Sequence, residues 1–122
     1  MKSVILQYIE GLQLGDLNKI IDLFAEDGLV HSPLYGDLLA KDFYTDLFSD
    51  TLHSKIVLLN IFTSVDKPNT YGAHFKYEWT LRNSIGTTFE CVDIFVFDEI
   101  GKIKEMTIIY DTYRTRQSFD NR

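Results

Sequence analysis

The chain has a single cysteine, Cys91, so neither an internal disulfide nor a zinc site built on cysteines is open to it. It has no run of ~18 apolar residues of the kind that spans a membrane. The N-terminal apolar run, Val4 to Leu6, is broken by Gln7 and Glu10 and is too short for a signal peptide. Basic residues are in the minority: 12 Lys and Arg stand against 18 Asp and Glu, a net charge of −6. The shortfall lies in residues 1–50, where three lysines face nine carboxylates. With no basic stripe to neutralise phosphates, nucleic acid is not an expected partner. An acidic surface also disfavours anionic membranes, and a cytoplasmic location is the expectation. The one basic cluster, Arg114, Arg116 and Arg122, reads as a solvated end. There is no glycine-rich phosphate loop and no nucleophile elbow. His31, His53 and His74 show no ligand spacing, so neither a metal nor another cofactor is expected.

What is present is aromatic. Nine Phe, seven Tyr and one Trp in 122 residues point to a thick apolar interior, and 45% hydrophobic with 25% charged residues is the balance of a globular domain. A chain of this length buries roughly two-thirds of its unfolded surface, enough for one core without staples. Disordered, collagen-like and disulfide-scaffold classes are excluded.

Three helical stripes come first. Val4, Ile5, Tyr8, Ile9 and Leu12 share one helical face; Gly15 ends that helix and Asp16 is placed to cap the next. Leu17, Ile20, Ile21 and Phe24 form a second stripe, ending before Asp27-Gly28. A short extended piece, Leu29 to Ser32, is stopped by Pro33. The third stripe holds Leu39, Ala40, Phe43, Tyr44, Leu47 and Phe48, with Asp37 as its expected cap.

From residue 54 the period becomes two. Strands are expected at about 54–65, 71–83, 87–97 and 102–113, parted by turn residues such as Asp66-Lys67-Pro68-Asn69. Helices followed by a meander predict an α+β fold in which the helices cover one face of a curved, mainly antiparallel sheet. One domain is expected over 1–115, with a loose tail at 116–122. In the 83–87 hairpin, a three-residue loop Ser84-Ile85-Gly86 sets Tyr77 opposite Asp93 and Trp79 opposite Cys91. That register joins two apolar faces, as burial demands; a two-residue loop does not.

Asp93 then sits among Phe75, Tyr77, Phe89, Cys91 and Phe95. Desolvation raises the pKa of a carboxyl group so placed. It is either a protonated acid aimed at a ligand oxygen or a carboxylate satisfied by a lysine or main-chain donors. Tyr8 and Tyr44 lie on apolar helical faces, and their hydroxyls need buried partners. Two phenols and a carboxyl could form a donor network aimed at one oxygen. The other face of the Asp93 strand, Val92, Ile94 and Val96, is apolar as well, which predicts a homodimer. Asp111 lies in a last strand that is apolar on both faces, so its direction stays open.

The stretch QYIEGLQLGDLNKIIDLFAEDGLVHSP (Gln7 to Pro33) resembles the opening of ketosteroid isomerase, in the SnoaL-like, nuclear-transport-factor-like superfamily. CVDIFVFDEIGKIKEM (Cys91 to Met106) resembles its penultimate hairpin. The resemblance implies a cone-shaped α+β barrel with three helices inside the sheet. It sets Tyr8 on the oxyanion tyrosine, Asp93 on the protonated aspartate and Tyr44 on the supporting tyrosine, with Phe24 replacing a third tyrosine. Ser32 stands where the isomerase has its proton-shuttling Asp, and a serine alone cannot take an α-proton at neutral pH. The loop from Pro33 to Gly36 also looks shortened. Ketosteroid isomerase activity itself is therefore not expected. The implied cavity, walled by Phe24, Ser32, Phe75, Tyr77, Trp79, Phe89, Phe95, Met106 and Tyr110, suits a small, mostly apolar molecule with one carbonyl or phenol oxygen. Two functions stay open: cofactor-free enolate chemistry of an isomerase, cyclase or hydratase, with Asp111 or His31 as base, or a non-catalytic binding or dimerisation module.

Overall fold

The computed structural model describes residues 1–120; Asn121 and Arg122, the last member of the basic cluster, lie outside the described residues. Helix α1 spans Lys2–Leu14 and buries Ile5, Tyr8, Gly11 and Leu12. It ends at Gly15, whose φ of 67° is left-handed and whose N–H meets the carbonyls of Gly11 and Leu12. Asp16 then caps α2 (Leu17–Ile21) by accepting from the Lys19 N–H at 3.1 Å. The two helices pack closely because Gly11 has no side chain: a Cβ there would come within 2.9 Å of Ile20 Cδ1.

The second helix is shorter than its apolar stripe suggests. It stops at Ile21, and Phe24 begins strand β1 (Phe24–Ser32). A non-local partner overrides the local period, since the Leu23 carbonyl accepts from the Ile103 N–H at 2.9 Å and Phe24 pairs with Ile103. Asp37 is likewise not a helix cap. It lies in a short strand β2 (Gly36–Leu39), and α3 (Ala40–Asp50) starts from Leu39 without a side-chain cap.

Four longer strands complete the chain: β3 (Thr51–Thr63), β4 (Thr70–Leu81), β5 (Gly86–Phe97) and β6 (Ile103–Ile109). The sheet order is β2-β1-β6-β5-β4-β3, and β1–β6 is its one parallel pair. This is the expected α+β architecture, a curved six-stranded sheet with helices packed on its inner face.

The β4–β5 register differs from the expected one by four positions: Tyr77 faces Phe89, Phe75 faces Cys91, and Asp93 faces Ala73. The turn is Arg82-Asn83-Ser84, closed by Leu81 N–H to the Ile85 carbonyl at 3.0 Å, with Ser84 at a φ of 68°. Asn83 Oδ1 accepts from the Ile85 N–H, so an Asx-type bond selects this turn over the glycine at 86. A shift by an even number leaves every side chain on its face, and Asp93 stays inside.

Residues 116–120 of the expected loose tail are helical. Helix α4 (Tyr113–Asp120) buries Thr115 and Phe119, and the Arg116 guanidinium donates to the Pro33 carbonyl at 2.7 Å. Its two buried side chains, four residues apart, are too few to show as a stripe. Among the described residues no helix is long and apolar enough to cross a membrane.

Candidate functional site

Strand alternation brings Phe75, Tyr77 and Trp79 of β4 and Phe89, Cys91 and Asp93 of β5 to the inner face. Across from them stand Tyr8 and Leu12 of α1 and Phe43 and Leu47 of α3. Together with Tyr110, Ile108 and the Ser32–Tyr35 turn they line a pocket of about 40 Å³. A site for one water needs ~10–15 Å³ on this measure, so the pocket is narrow.

Asp93 is the carboxyl group in that lining and is only 1% exposed. Burial pushes its pKa up to about 7, while hydrogen bonds from the Cys91 thiol and the Tyr8 hydroxyl pull it back down. The thiol donates to Asp93 Oδ1 at 3.1 Å. Tyr8 and Tyr44, both fully inside, have hydroxyl oxygens 2.8 Å apart. The Tyr44 hydroxyl also has the Met106 sulfur at 3.5 Å. A thioether is a weak acceptor, so Tyr44 donates by preference to Tyr8, which leaves the Tyr8 proton for Asp93 or for an oxygen in the pocket. Burial first holds both phenols well above their ordinary pKa, followed by Tyr44 and then Asp93 for Tyr8, and by Asp93 for Tyr44.

Of the residues expected at the site, Tyr8, Ser32, Phe75, Tyr77, Trp79, Phe89, Asp93 and Tyr110 line the pocket. Tyr44, Phe24, Phe95 and Met106 stand one layer behind. Phe95 meets the Tyr8 ring edge-on at 5.2 Å, and Phe24 lies 5.7 Å from the Tyr44 ring. Their effect on a ligand passes through the two tyrosines. The aromatic walls are anchored from outside: Ser54 Oγ lies 2.8 Å from the Tyr77 hydroxyl, and Trp79 Nε1 donates to Thr51 Oγ1 at 2.8 Å.

Sequence reasoning missed seven lining residues, among them Leu34, Tyr35 and Cys91. Cys91 could have been found, since it shares the Asp93 face two residues away. Leu34 and Tyr35 had no periodic signal, because a turn brings them in. Ser32 builds that turn. Its Oγ accepts from the N–H groups of Leu34 and Tyr35 at 3.2 and 3.1 Å.

Neither residue considered as base reaches the pocket. His31 points to the outer face, with Nδ1 2.9 Å from Asp37 and Nε2 3.0 Å from Glu105. These hydrogen bonds, Glu105 first, raise its pKa. Asp111 accepts from the Tyr113 N–H at 3.0 Å on the surface. No group of three His, Cys, Asp or Glu among the described residues is placed to hold a metal ion.

The arrangement offers two hydrogen-bond donors, the Tyr8 hydroxyl and the protonated Asp93 carboxyl, at one end of an apolar pocket. Such a pair can hold one ligand oxygen and stabilise negative charge that develops on it.

Comparison with known proteins agrees with the fold. The structure is similar to that of SalBIII, an epoxide hydrolase/cyclase-like enzyme described in pyran ring formation in the polyether salinomycin. The TM-score is 0.75 at 18% identity, over 90% of this chain and 89% of that one. It is also similar to an NTF2-like protein of unknown function from Exiguobacterium sp. 255-15, with a TM-score of 0.76 at 14% identity, over 88% of this chain and 98% of that one. At these identities the likeness establishes the fold alone. No curated protein sequence matches the chain. The family model of the SnoaL-like domain matches residues 5–106, and the chain belongs to that family.

Proposed function

We propose that the pocket binds a small, mostly apolar molecule through one carbonyl or phenol oxygen, which accepts from the Tyr8 hydroxyl and the protonated Asp93 carboxyl. The carrying observation is Asp93 itself: a carboxyl group 1% exposed, pushed up to a pKa of about 7, in a pocket lined mostly by apolar and aromatic side chains. Burying such a group without a task is costly. Its pKa lets it both give and take a proton at neutral pH. Enolate-type isomerase, cyclase or hydratase chemistry would use it so, and the fold likeness to a cyclase-like enzyme supports that direction.

A second reading rests on a specific observation. Ser32 is spent on its turn, and His31 and Asp111 face away, so Asp93 has no second acid–base group opposite it in the lining. A binding module without catalysis fits that equally well. Both readings share the ligand site.

The apolar outer face of the sheet supports a homodimer. Phe62, Ile109 and Leu29 are 45%, 54% and 39% exposed on the face that also carries Val92, Ile94 and Val96. Ile94→Glu should then shift the protein toward monomer in analytical ultracentrifugation; an unchanged sedimentation coefficient removes this interface.

The ligand site is tested by titrating 2-naphthol, a fluorescent phenol, into wild type, Tyr8→Phe and Asp93→Asn at pH 6. Each substitution should weaken binding by about tenfold, ~1.4 kcal/mol. No binding to wild type, or equal binding to all three, overturns the assignment.

A further inference from the structure

Cys91 has no part in either reading, yet it lies 2% exposed in the pocket lining, two residues before Asp93 on the same face of β5. We propose that Cys91 is a positioning residue: its S–H, donated to Asp93 Oδ1, commits that oxygen as acceptor and leaves Oδ2 to carry the acidic proton toward the ligand. The inference rests on the ligand site proposed above.

A carboxylic acid has two oxygens and one proton, and left alone it can present either. The thiol removes that freedom. Burial, and then the neighbouring carboxyl, push the Cys91 pKa up, so the sulfur stays protonated and remains a donor across the neutral range. The other titratable groups that face Asp93 are Tyr8 from α1, Tyr44 from α3, Tyr77 from β4 and Tyr110 just beyond β6. All four are phenols held protonated by burial; the Arg116 guanidinium acts on Tyr110 but not on Asp93. Asp93 is thus tuned by neutral donors, with Cys91 bonded directly to Oδ1.

The residue type matters. A thiol is a weak donor and favours the ionised carboxylate only slightly. A hydroxyl in its place would bond the carboxylate more strongly and lower the Asp93 pKa, emptying the proton that the ligand needs. Cysteine at 91 orients the acid while leaving it protonated near neutrality.

The test compares wild type, Cys91→Ser and Cys91→Ala by ¹³C NMR titration of labelled Asp carboxyl groups, with Asp93→Asn assigning the signal. Thermal melting of each variant confirms that it folds. The Asp93 pKa should fall by about one unit in Cys91→Ser and rise in Cys91→Ala. The sign for alanine is decisive, because a thiol that merely filled space would admit water when truncated and lower the pKa. An unmoved Asp93 titration in both variants, or a fall in Cys91→Ala, overturns the proposal. The 2-naphthol titration separates the two claims. If the carboxyl titration shifts as stated while 2-naphthol binds no variant, the ligand site falls and the thiol's hold on Asp93 stands.

Discussion

The hydroxyl oxygens of Tyr8 and Tyr44 lie 2.8 Å apart, with the Met106 sulfur 3.5 Å from the second. With the weak thioether as its other acceptor, Tyr44 donates by preference to Tyr8, which leaves the Tyr8 proton for Asp93 or for an oxygen in the pocket. Tyr44→Phe removes that support without touching the lining. It should weaken 2-naphthol binding by about two- to fivefold, less than Tyr8→Phe, and cost about 1 kcal/mol of stability. Urea denaturation and the titration measure both. An effect of Tyr44→Phe on binding larger than that of Tyr8→Phe would contradict this chain of donation.

Asp93 links the pocket to stability. Its folded pKa, about 7, lies above the ordinary aspartate value of 3.8, so the folded state holds a proton that the unfolded state has released. Stability is fully present below about pH 4 from this group and is lost as the pH rises toward 7, by an amount of order 4 kcal/mol. Asp93→Asn carries no such proton, and its unfolding free energy should lose this decline between pH 4 and 7. Chemical denaturation at several pH values decides it; parallel profiles for the two proteins would contradict a buried, protonated Asp93.

His31, on the outer face, contributes in the same sense. Its pKa is raised by Glu105 and Asp37, so its contribution is present below pH ~6.5 and is lost as the pH rises through the higher folded value. Glu105→Gln should lower the His31 titration midpoint seen by ¹H–¹⁵N NMR of the ring. A midpoint left unchanged would show that the 3.0 Å contact to Glu105 does not hold in solution.

Helix α4 backs two lining rings, with Phe119 centred 5.1 Å from Tyr35 and 6.5 Å from Trp79. Phe119→Ala should cost about 2–3 kcal/mol, at the low end for a buried aromatic because the helix lies at the edge of the core. It should also speed 2-naphthol association in stopped-flow mixing, since the pocket of about 40 Å³ must widen to admit a ring. Association no faster than wild type would show that α4 does not limit entry.

Side-chain periodicity carried the inner face of the sheet and Asp93 on it; that Tyr8 stands with Asp93 was implied by the family resemblance. The β4–β5 register was misplaced by four positions without harm, since parity alone decides the face. What periodicity could not show came from partners distant in sequence. Phe24 leaves its helix for Ile103, Asp37 turns to His31, and Phe119 finds Tyr35 and Trp79. Tyr35 enters the lining through a turn that Ser32 holds, and a turn residue leaves no stripe. The role of Ser32 was legible only in part: the sequence showed a missing acid, and the structure shows what the hydroxyl does instead.

The most direct test of the central claim is the affinity of 2-naphthol for wild type and Asp93→Asn measured from pH 5 to 9. If protonated Asp93 donates to the ligand oxygen, wild-type affinity is constant in acid and falls above about pH 7, approaching tenfold per pH unit, while Asp93→Asn binds weakly and evenly throughout. Wild-type affinity that does not change across this range would contradict the account.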